Sequence, residues 1–133
     1  MTRFVGAGLA VVALAAMVLS GCTAQTGPTV VTFKIAGQET YRIELITPEQ
    51  IQHVKDLMAG GETGRIPIGT VVRDDPSVNA PWSWHIDPTT LEFADQTIEV
   101  CDGLPSYVED GTVTSDSYCP WSAVPIKLEG PGS

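Results

Sequence analysis

The N-terminal segment decides which part of the chain folds and in which compartment it does so. Arg3 is followed by an uncharged apolar run from Phe4 to Leu19 and then by Ser20-Gly21-Cys22. A run of sixteen residues is too short for a bilayer core, which needs about 20 apolar residues, so cleavage is favoured over a transmembrane helix. We therefore predict that residues 1–21 are a signal peptide and that the mature protein starts at Cys22.

The residues Leu19-Ser20-Gly21-Cys22 resemble the lipobox of bacterial lipoproteins. There, small residues let the peptidase accept an extended backbone, and the cysteine thiol receives a diacylglyceryl group. The resemblance implies that Cys22 is lipid-modified, with palmitate among its acyl chains. Stable anchoring in a membrane requires more than one acyl chain, and a diacylglyceryl group meets this requirement. An ordinary signal peptide followed by an incidental cysteine is the alternative. We expect an extracytoplasmic, membrane-anchored protein of the bacterial cell envelope, with residues 22–28 as a flexible tether.

The mature chain is strongly acidic. Without Arg3, six basic residues stand against 16 acidic ones, which gives a formal charge of −10. Nucleic-acid binding is therefore not expected, because phosphate recognition relies on clustered Lys and Arg. This charge is compatible with solubility, with cation binding and with a basic partner, and it does not favour one of these over the others. Residues 29–129 have the length of one domain, which we expect to be monomeric.

Cys101 and Cys119 remain once Cys22 is assigned to lipid, and disulfides persist in an exported protein. We predict that the two residues pair. Closing a loop of this size stabilises a fold by roughly 3 kcal/mol in the chain-entropy model. A metal thiolate pair or two reactive thiols are the alternatives, although no second cysteine pair supports a zinc site.

The periodicity of apolar residues predicts a β-hairpin followed by a helix. Two stretches alternate on either side of Gly37, namely Val31, Phe33 and Ile35, and then Tyr41, Ile43 and Leu45. Thr47 is an N-cap, Pro48 opens the helix and Gln50 completes a capping box. An apolar stripe follows, consisting of Ile51, Val54, Leu57 and Met58, and Gly60-Gly61 ends the helix. His53 lies beside that stripe, where a solvated histidine is favoured over a ligand.

The remaining elements are shorter. Strands are predicted at residues 66–73, 82–87, 97–101 and 123–128, a short helix at 104–110 and a disordered tail at 130–133. A hairpin, one helix and then mainly strands indicate an α+β domain. We expect a mainly antiparallel sheet of five to six strands, with one packed helix and one disulfide.

The densest group of chemically active residues surrounds the predicted fourth strand. Alternation there would place Trp82 and Trp84 in the core, and Trp121 would complete an aromatic core. His85 and Asp87 would occupy the opposite face, toward Glu99 on the next strand. The candidate ligand or divalent-cation residues are His85, Asp87, Glu99, Asp102 and Glu109. The alternatives are a histidine that fixes a loop and carboxylates that cap the turns at Asp87-Pro88 and Asp102-Gly103.

Templates for catalysis are missing from the sequence. There is no Gly-x-Ser-x-Gly elbow, no phosphate-binding glycine loop and no His-Glu-x-x-His. Extended geometry also excludes a triad of Ser83, His85 and Asp87, because alternate side chains lie parallel about 7 Å apart. A non-enzymatic module that binds a small ligand, a cation or an envelope protein is favoured. The alternative is a metal-dependent hydrolase that uses His85, Glu99 and Glu109.

Four segments carry a resemblance to a known family, and they are Asn79 to Pro88, Ile98 to Gly103, Tyr107-Val108-Glu109 and Cys119-Pro120-Trp121. Together they resemble a small secreted domain of bacterial lipoproteins and of the N-terminal part of a slime-mould calmodulin-binding protein. The resemblance extends from about Tyr41 to Leu128 and implies no activity. Calmodulin binding does not transfer, because this acidic chain has no basic amphipathic helix.

Overall fold

A computed structural model describes residues 26–133, so the signal-peptide and Cys22 predictions lie outside the described residues. The strands and helices of this part of the chain are β1 (Thr29–Ile35), β2 (Glu39–Leu45), α1 (Pro48–Met58), β3 (Ile66–Val72), β4 (His85–Ile86), β5 (Glu92–Ala94), α2 (Pro105–Glu109), β6 (Ser117–Tyr118) and β7 (Val124–Glu129). Short 3₁₀ helices occupy Ser77–Asn79, Pro88–Thr90 and Glu99–Cys101. No described helix has the length and apolar character required to cross a membrane.

Strands β1 and β2 form the predicted hairpin. They pair antiparallel from Thr29 opposite Leu45 to Ile35 opposite Glu39. The turn fits the sequence, since Gly37 has a positive φ of 66° that glycine adopts without strain. Strand β7 pairs with the other side of β1, which gives a three-stranded antiparallel sheet in the order β2-β1-β7.

Helix α1 begins as its sequence predicts. The Thr47 side chain accepts a hydrogen bond from the Gln50 backbone N–H, and the Gln50 side chain in turn accepts one from the Thr47 backbone N–H. The stripe is less buried than predicted: Val54 is fully buried, Ile51 packs partly against the core and Met58 is exposed.

Strand β3 organises the second sheet, in which all pairs are antiparallel. Successive parts of β3 pair with β5, β6 and β4. The core contains a cluster of aromatic rings whose centroids lie 5.2–5.9 Å apart. These rings belong to Phe33, Tyr41, Trp84 and Tyr118. The domain is therefore an antiparallel, mostly β structure with one main helix, but its strands divide between two sheets rather than one.

Two predicted strands are wrong. Only His85–Ile86 of the predicted strand 82–87 is extended and paired, because a turn closed by Trp82 N–H donating to Asn79 O precedes it. The predicted strand at 97–101 is instead the 3₁₀ helix Glu99–Cys101, and the fifth strand lies earlier, at Glu92–Ala94. The alternation of Ile98 and Val100 therefore does not correspond to a half-buried strand.

The C-terminal residues also differ from the prediction of a disordered tail. Thr29 Oγ1 donates a hydrogen bond to Pro131 O, and Ser133 N–H donates to Gly130 O at 3.2 Å. Gly130 has a φ of 101°, and a Cβ at this position would collide with the backbone of residues 28 and 29. The tail therefore folds back beside the start of β1.

Candidate functional site

The five predicted ligand residues are distributed over several local structures. His85 on β4 donates from Nδ1 to the backbone oxygen of Asp75 at 2.6 Å, and the Asp75 carboxylate lies 4.0 Å away. Glu99 is exposed on the 3₁₀ helix that replaced the predicted fifth strand. His85 therefore fixes the loop before β4, and the strand pairing that was expected to bring it to Glu99 does not exist.

Asp87 and Glu109 each accept hydrogen bonds from a neighbouring loop or helix end. Asp87 Oδ1 accepts from Thr89 N–H at 2.9 Å and from Thr89 Oγ1 at 2.7 Å, which caps the following 3₁₀ helix. These bonds, the side-chain one first, lower the pKa of Asp87 below its usual value. Glu109 Oε2 accepts from Ser83 N–H at 3.0 Å, so it ties α2 to the loop that carries Trp82.

Residues 26–133 contain no group of three or more His, Cys, Asp or Glu residues placed to hold a metal ion. Four of the predicted ligand residues instead bond to different backbone groups: His85 to Asp75, Asp87 to Thr89, Asp102 to Gly103 and Glu109 to Ser83. The alternative interpretation, in which these residues fix loops and cap turns, describes this geometry.

The three tryptophans occupy three different environments. Trp84 is 1% exposed and lies in the aromatic cluster, as predicted for a core residue. Trp82 is half-buried and its indole Nε1 donates to Thr40 O at 2.9 Å. Trp121 is 43% exposed, so its assignment to the aromatic core is wrong.

Trp121 instead lies beside the disulfide. Cys101 and Cys119 are bonded, with Cα atoms 5.0 Å apart, which confirms the predicted pairing. Cys119 N–H donates to Cys101 O at 2.7 Å, and Asp102 Oδ1 accepts from Trp121 N–H at 2.9 Å. We call residues 97–102 and 119–121 the disulfide clamp, because these bonds hold the two segments side by side.

The disulfide clamp exposes large apolar side chains. Ile98 is 67% exposed and Val100 is 65% exposed. The hydrogen bonds of Trp121 to Thr97 and Asp102 hold its exposed ring beside this segment, and we call these three exposed side chains the apolar patch. Water contact with such groups is unfavourable, and the clamp fixes the backbone that carries them, so their exposure does not result from a loose chain end. Sequence alternation misassigned these residues, although the adjacent Cys101 could have indicated a constrained loop.

A groove of about 310 Å³ adjoins Trp121 and is lined by Ile66, Asp95, Gln96, Thr97 and Trp121. We call it the Trp121 groove. Thr97 Oγ1 accepts from the Trp121 indole Nε1 at 2.6 Å, which fixes the aromatic wall. Asp95 Oδ1 accepts from Gly64 N–H at 2.6 Å, so the carboxylate is held as well. A volume above about 300 Å³ is at the lower end of the range of small-ligand sites.

His53 is linked to the groove through Gly64, whose N–H donates to Asp95. Its Nε2 donates to Gly64 O at 2.8 Å, and its ring lies 4.3 Å from that of Phe93, measured between centroids. The interpretation of His53 as a solvated helix residue was therefore wrong. Gly64 has a φ of 64°, and a Cβ there would lie 2.8 Å from the imidazole, so this contact requires glycine.

The family model described as the BP-74 N-terminal domain matches residues 27–130, which is most of the chain. The chain belongs to this family. The match is consistent with the resemblance of the sequence to that domain, and it covers more residues at both ends. Neither the comparison with curated proteins nor that with solved structures gives a match.

In this member of the BP-74 N-terminal domain family, the segments that carried the resemblance form two structural groups. Residues 79–88 are tied to the fold by Asn79, which bonds to β2, and by Glu109 of α2. Residues 98–103 and 119–121 make up most of the disulfide clamp. The first group packs into the core of the domain, whereas the second presents the apolar patch and one wall of the Trp121 groove.

Proposed function

We propose that this protein is a lipid-anchored, non-enzymatic binding module of the bacterial cell envelope, and that its binding surface is the apolar patch. One observation carries the proposal: three large apolar side chains are exposed on a backbone held by a disulfide and by hydrogen bonds. A surface fixed before binding loses less conformational entropy when a partner arrives.

The charge of the domain indicates the kind of partner. Among the described residues, the ion pair formed by a Lys or Arg joins Lys127 to Glu129, and it involves neither Asp95 nor Glu99 beside the patch. Carboxylates next to exposed apolar side chains complement a segment that carries basic and apolar residues. We therefore propose an envelope protein with such a segment as the partner.

The metal-dependent hydrolase is the weaker alternative. It requires donors that converge on one open position. In this domain His85 bonds to the Asp75 backbone and Glu109 bonds to the Ser83 backbone, while Glu99 lies in the exposed 3₁₀ helix. No observation on the described residues favours that function over binding.

The binding surface can be tested by placing a photoreactive benzoylphenylalanine at Ile98 or Val100 in cells that produce the protein. Ile46 and Met58 are matched controls, because they are also exposed apolar residues but lie outside the apolar patch. We expect discrete protein adducts from the two patch positions alone. Mass spectrometry should place the cross-link in a partner segment that contains both basic and apolar residues.

Three results would contradict this proposal. Equal cross-linking from Ile46 and Met58 would indicate nonspecific contact. The absence of any adduct from the patch would show that the patch binds no protein partner. A cross-link into an acidic segment would contradict the assigned partner chemistry.

A further inference from the structure

The Trp121 groove contains groups that match one particular side chain. Its wall is the Trp121 indole, its polar lining includes the Asp95 carboxylate and its apolar lining is Ile66. None of its lining residues is basic. Arg65, the nearest arginine in sequence, lines a separate depression of about 200 Å³ beside Leu57 and β7.

Both charged and aromatic groups are fixed before a ligand arrives. Hydrogen bonds at the backbone N–H and at the indole Nε1 hold Trp121, at 2.9 and 2.6 Å. Gly64 N–H occupies one acceptor site of Asp95 Oδ1, and the described residues place no Lys or Arg nitrogen within 4.0 Å of its carboxylate. Asp95 is exposed, so its remaining acceptor sites are open to an external cation.

A planar cation fits this arrangement better than a spherical one. A guanidinium group stacks on an indole face and forms paired hydrogen bonds with a carboxylate, whereas an ammonium group acts as a point charge. The aliphatic stem of an arginine also provides apolar contact for Ile66. The aromatic, acidic and apolar lining of the groove therefore favours an arginine side chain as the occupant.

We propose that the Trp121 groove binds an arginine side chain of the partner protein, with its guanidinium stacked on Trp121 and paired with Asp95. This assignment rests on the proposed function, because it identifies which partner residue enters the groove. Apolar neighbours of that arginine then contact Ile98 and Val100. The groove supplies specificity, and the apolar patch supplies additional buried area.

The test uses the ¹⁵N-labelled full chain in detergent micelles and the probe peptide acetyl-Leu-Arg-Leu-amide. The indole N–H signals of Trp82, Trp84 and Trp121 report three environments in one spectrum, and each is assigned by replacement with Phe. We expect the Trp121 signal to shift in a saturable manner while that of buried Trp84 stays in place. A peptide with citrulline in place of arginine keeps the shape and removes the charge, and we expect no binding from it. The lysine peptide should bind several-fold more weakly.

A pair of variants distinguishes the effect of the Asp95 carboxylate on peptide affinity from the effect of the overall charge of the domain. Asp95→Asn retains an oxygen that accepts from Gly64 N–H but removes the charge, so we expect about a tenfold loss of affinity for the arginine peptide. Glu92→Gln removes an equal charge from an exposed residue outside the groove and should leave the affinity unchanged.

Several outcomes would overturn the assignment. These are an unmoved Trp121 signal, equal binding of the citrulline peptide, and an Asp95→Asn variant that binds as tightly as the original chain. If the backbone signals of Ile98 and Val100 shift while Trp121 does not, the groove assignment fails and the binding surface stands. If none of these signals moves and cross-linking also fails, both proposals fail.

Discussion

Asn79 illustrates how a single buried side chain joins distant parts of this fold. Its Oδ1 accepts from Arg42 N–H on β2, and its Nδ2 donates to Trp84 O, both at 2.8 Å. The side chain is almost completely buried, so losing either bond would leave an unsatisfied polar group in the core. An asparagine in a loop ordinarily indicates a turn, and its partner 37 residues away cannot be read from local sequence.

Tyr118 gives a test at the scale of one residue. Burial is the main cause that raises the pKa of both Tyr41 and Tyr118 above the ordinary value of about 10. Because the folded pKa is raised, the stabilisation is complete below pH of about 10 and is lost as the pH rises above it. Each tyrosine should lower the free energy of unfolding by up to about 1.4 kcal/mol per pH unit in that range.

We expect Tyr118→Phe to reduce this alkaline slope by about half, as measured by urea unfolding at a series of pH values. At neutral pH the free energy of unfolding of the variant should be lower by about 1 kcal/mol, because the hydrogen bond that Tyr118 Oη donates to Gly103 O at 2.7 Å is lost. Tyr107→Phe is the matched control, because Tyr107 is exposed and should leave the slope unchanged. A Tyr118→Phe variant with the full slope would show that the buried phenol does not cause the effect.

At the scale of elements, the sequence predicts those whose signals are local. The hairpin follows from alternation around Gly37, and α1 follows from the capping box of Thr47 and Gln50. Strand β3, helix α2 and strand β7 also lie within a few residues of their predicted bounds. In each case the residues that specify the element lie inside it or beside it.

The failures occur where distant contacts decide the backbone. Ile98 and Val100 alternate as in a strand, but the disulfide and the bond from Trp121 N–H to Asp102 hold this segment in a 3₁₀ conformation at the surface. The candidate ligand cluster failed for the same reason, since it depended on a pairing between two strands that do not form. The exposed Trp121 and the carboxylate of Asp95 had no local signal.

The disulfide clamp provides the test at this scale. We expect replacement of both Cys101 and Cys119 by Ser to lower the free energy of unfolding by roughly 3 kcal/mol, because the unfolded chain is no longer crosslinked. Such a loss is large against the roughly 5–15 kcal/mol of typical domains. Urea unfolding measures it, and the unmodified chain under reducing conditions is the control. Equal stability of the oxidised and double-Ser proteins would contradict this role.

At the scale of the whole molecule, charge and the predicted attachment would act together. The formal charge of −10 that the predicted mature chain carries would oppose close approach to an anionic lipid surface, while the predicted lipid would hold the domain near it. The seven residues 22–28 span at most about 25 Å when extended, so anchoring would keep the start of the domain at Thr29 within that distance of the membrane. A partner in the same membrane would then meet the domain at a raised effective concentration.

The anchoring itself is tested by Cys22→Ala, which removes the thiol that would receive the diacylglyceryl group. We expect the unchanged chain to incorporate radioactive palmitate and to partition into the detergent phase, because two acyl chains bury enough methylene groups for stable attachment. Cys22→Ala should lose both properties and retain the segment 1–21, since the lipoprotein peptidase acts on the lipid-modified precursor. The matched control replaces Cys101 and Cys119 by Ser, which alters two other cysteines and should leave labelling intact. Palmitate on the Cys22→Ala protein would refute anchoring through this residue.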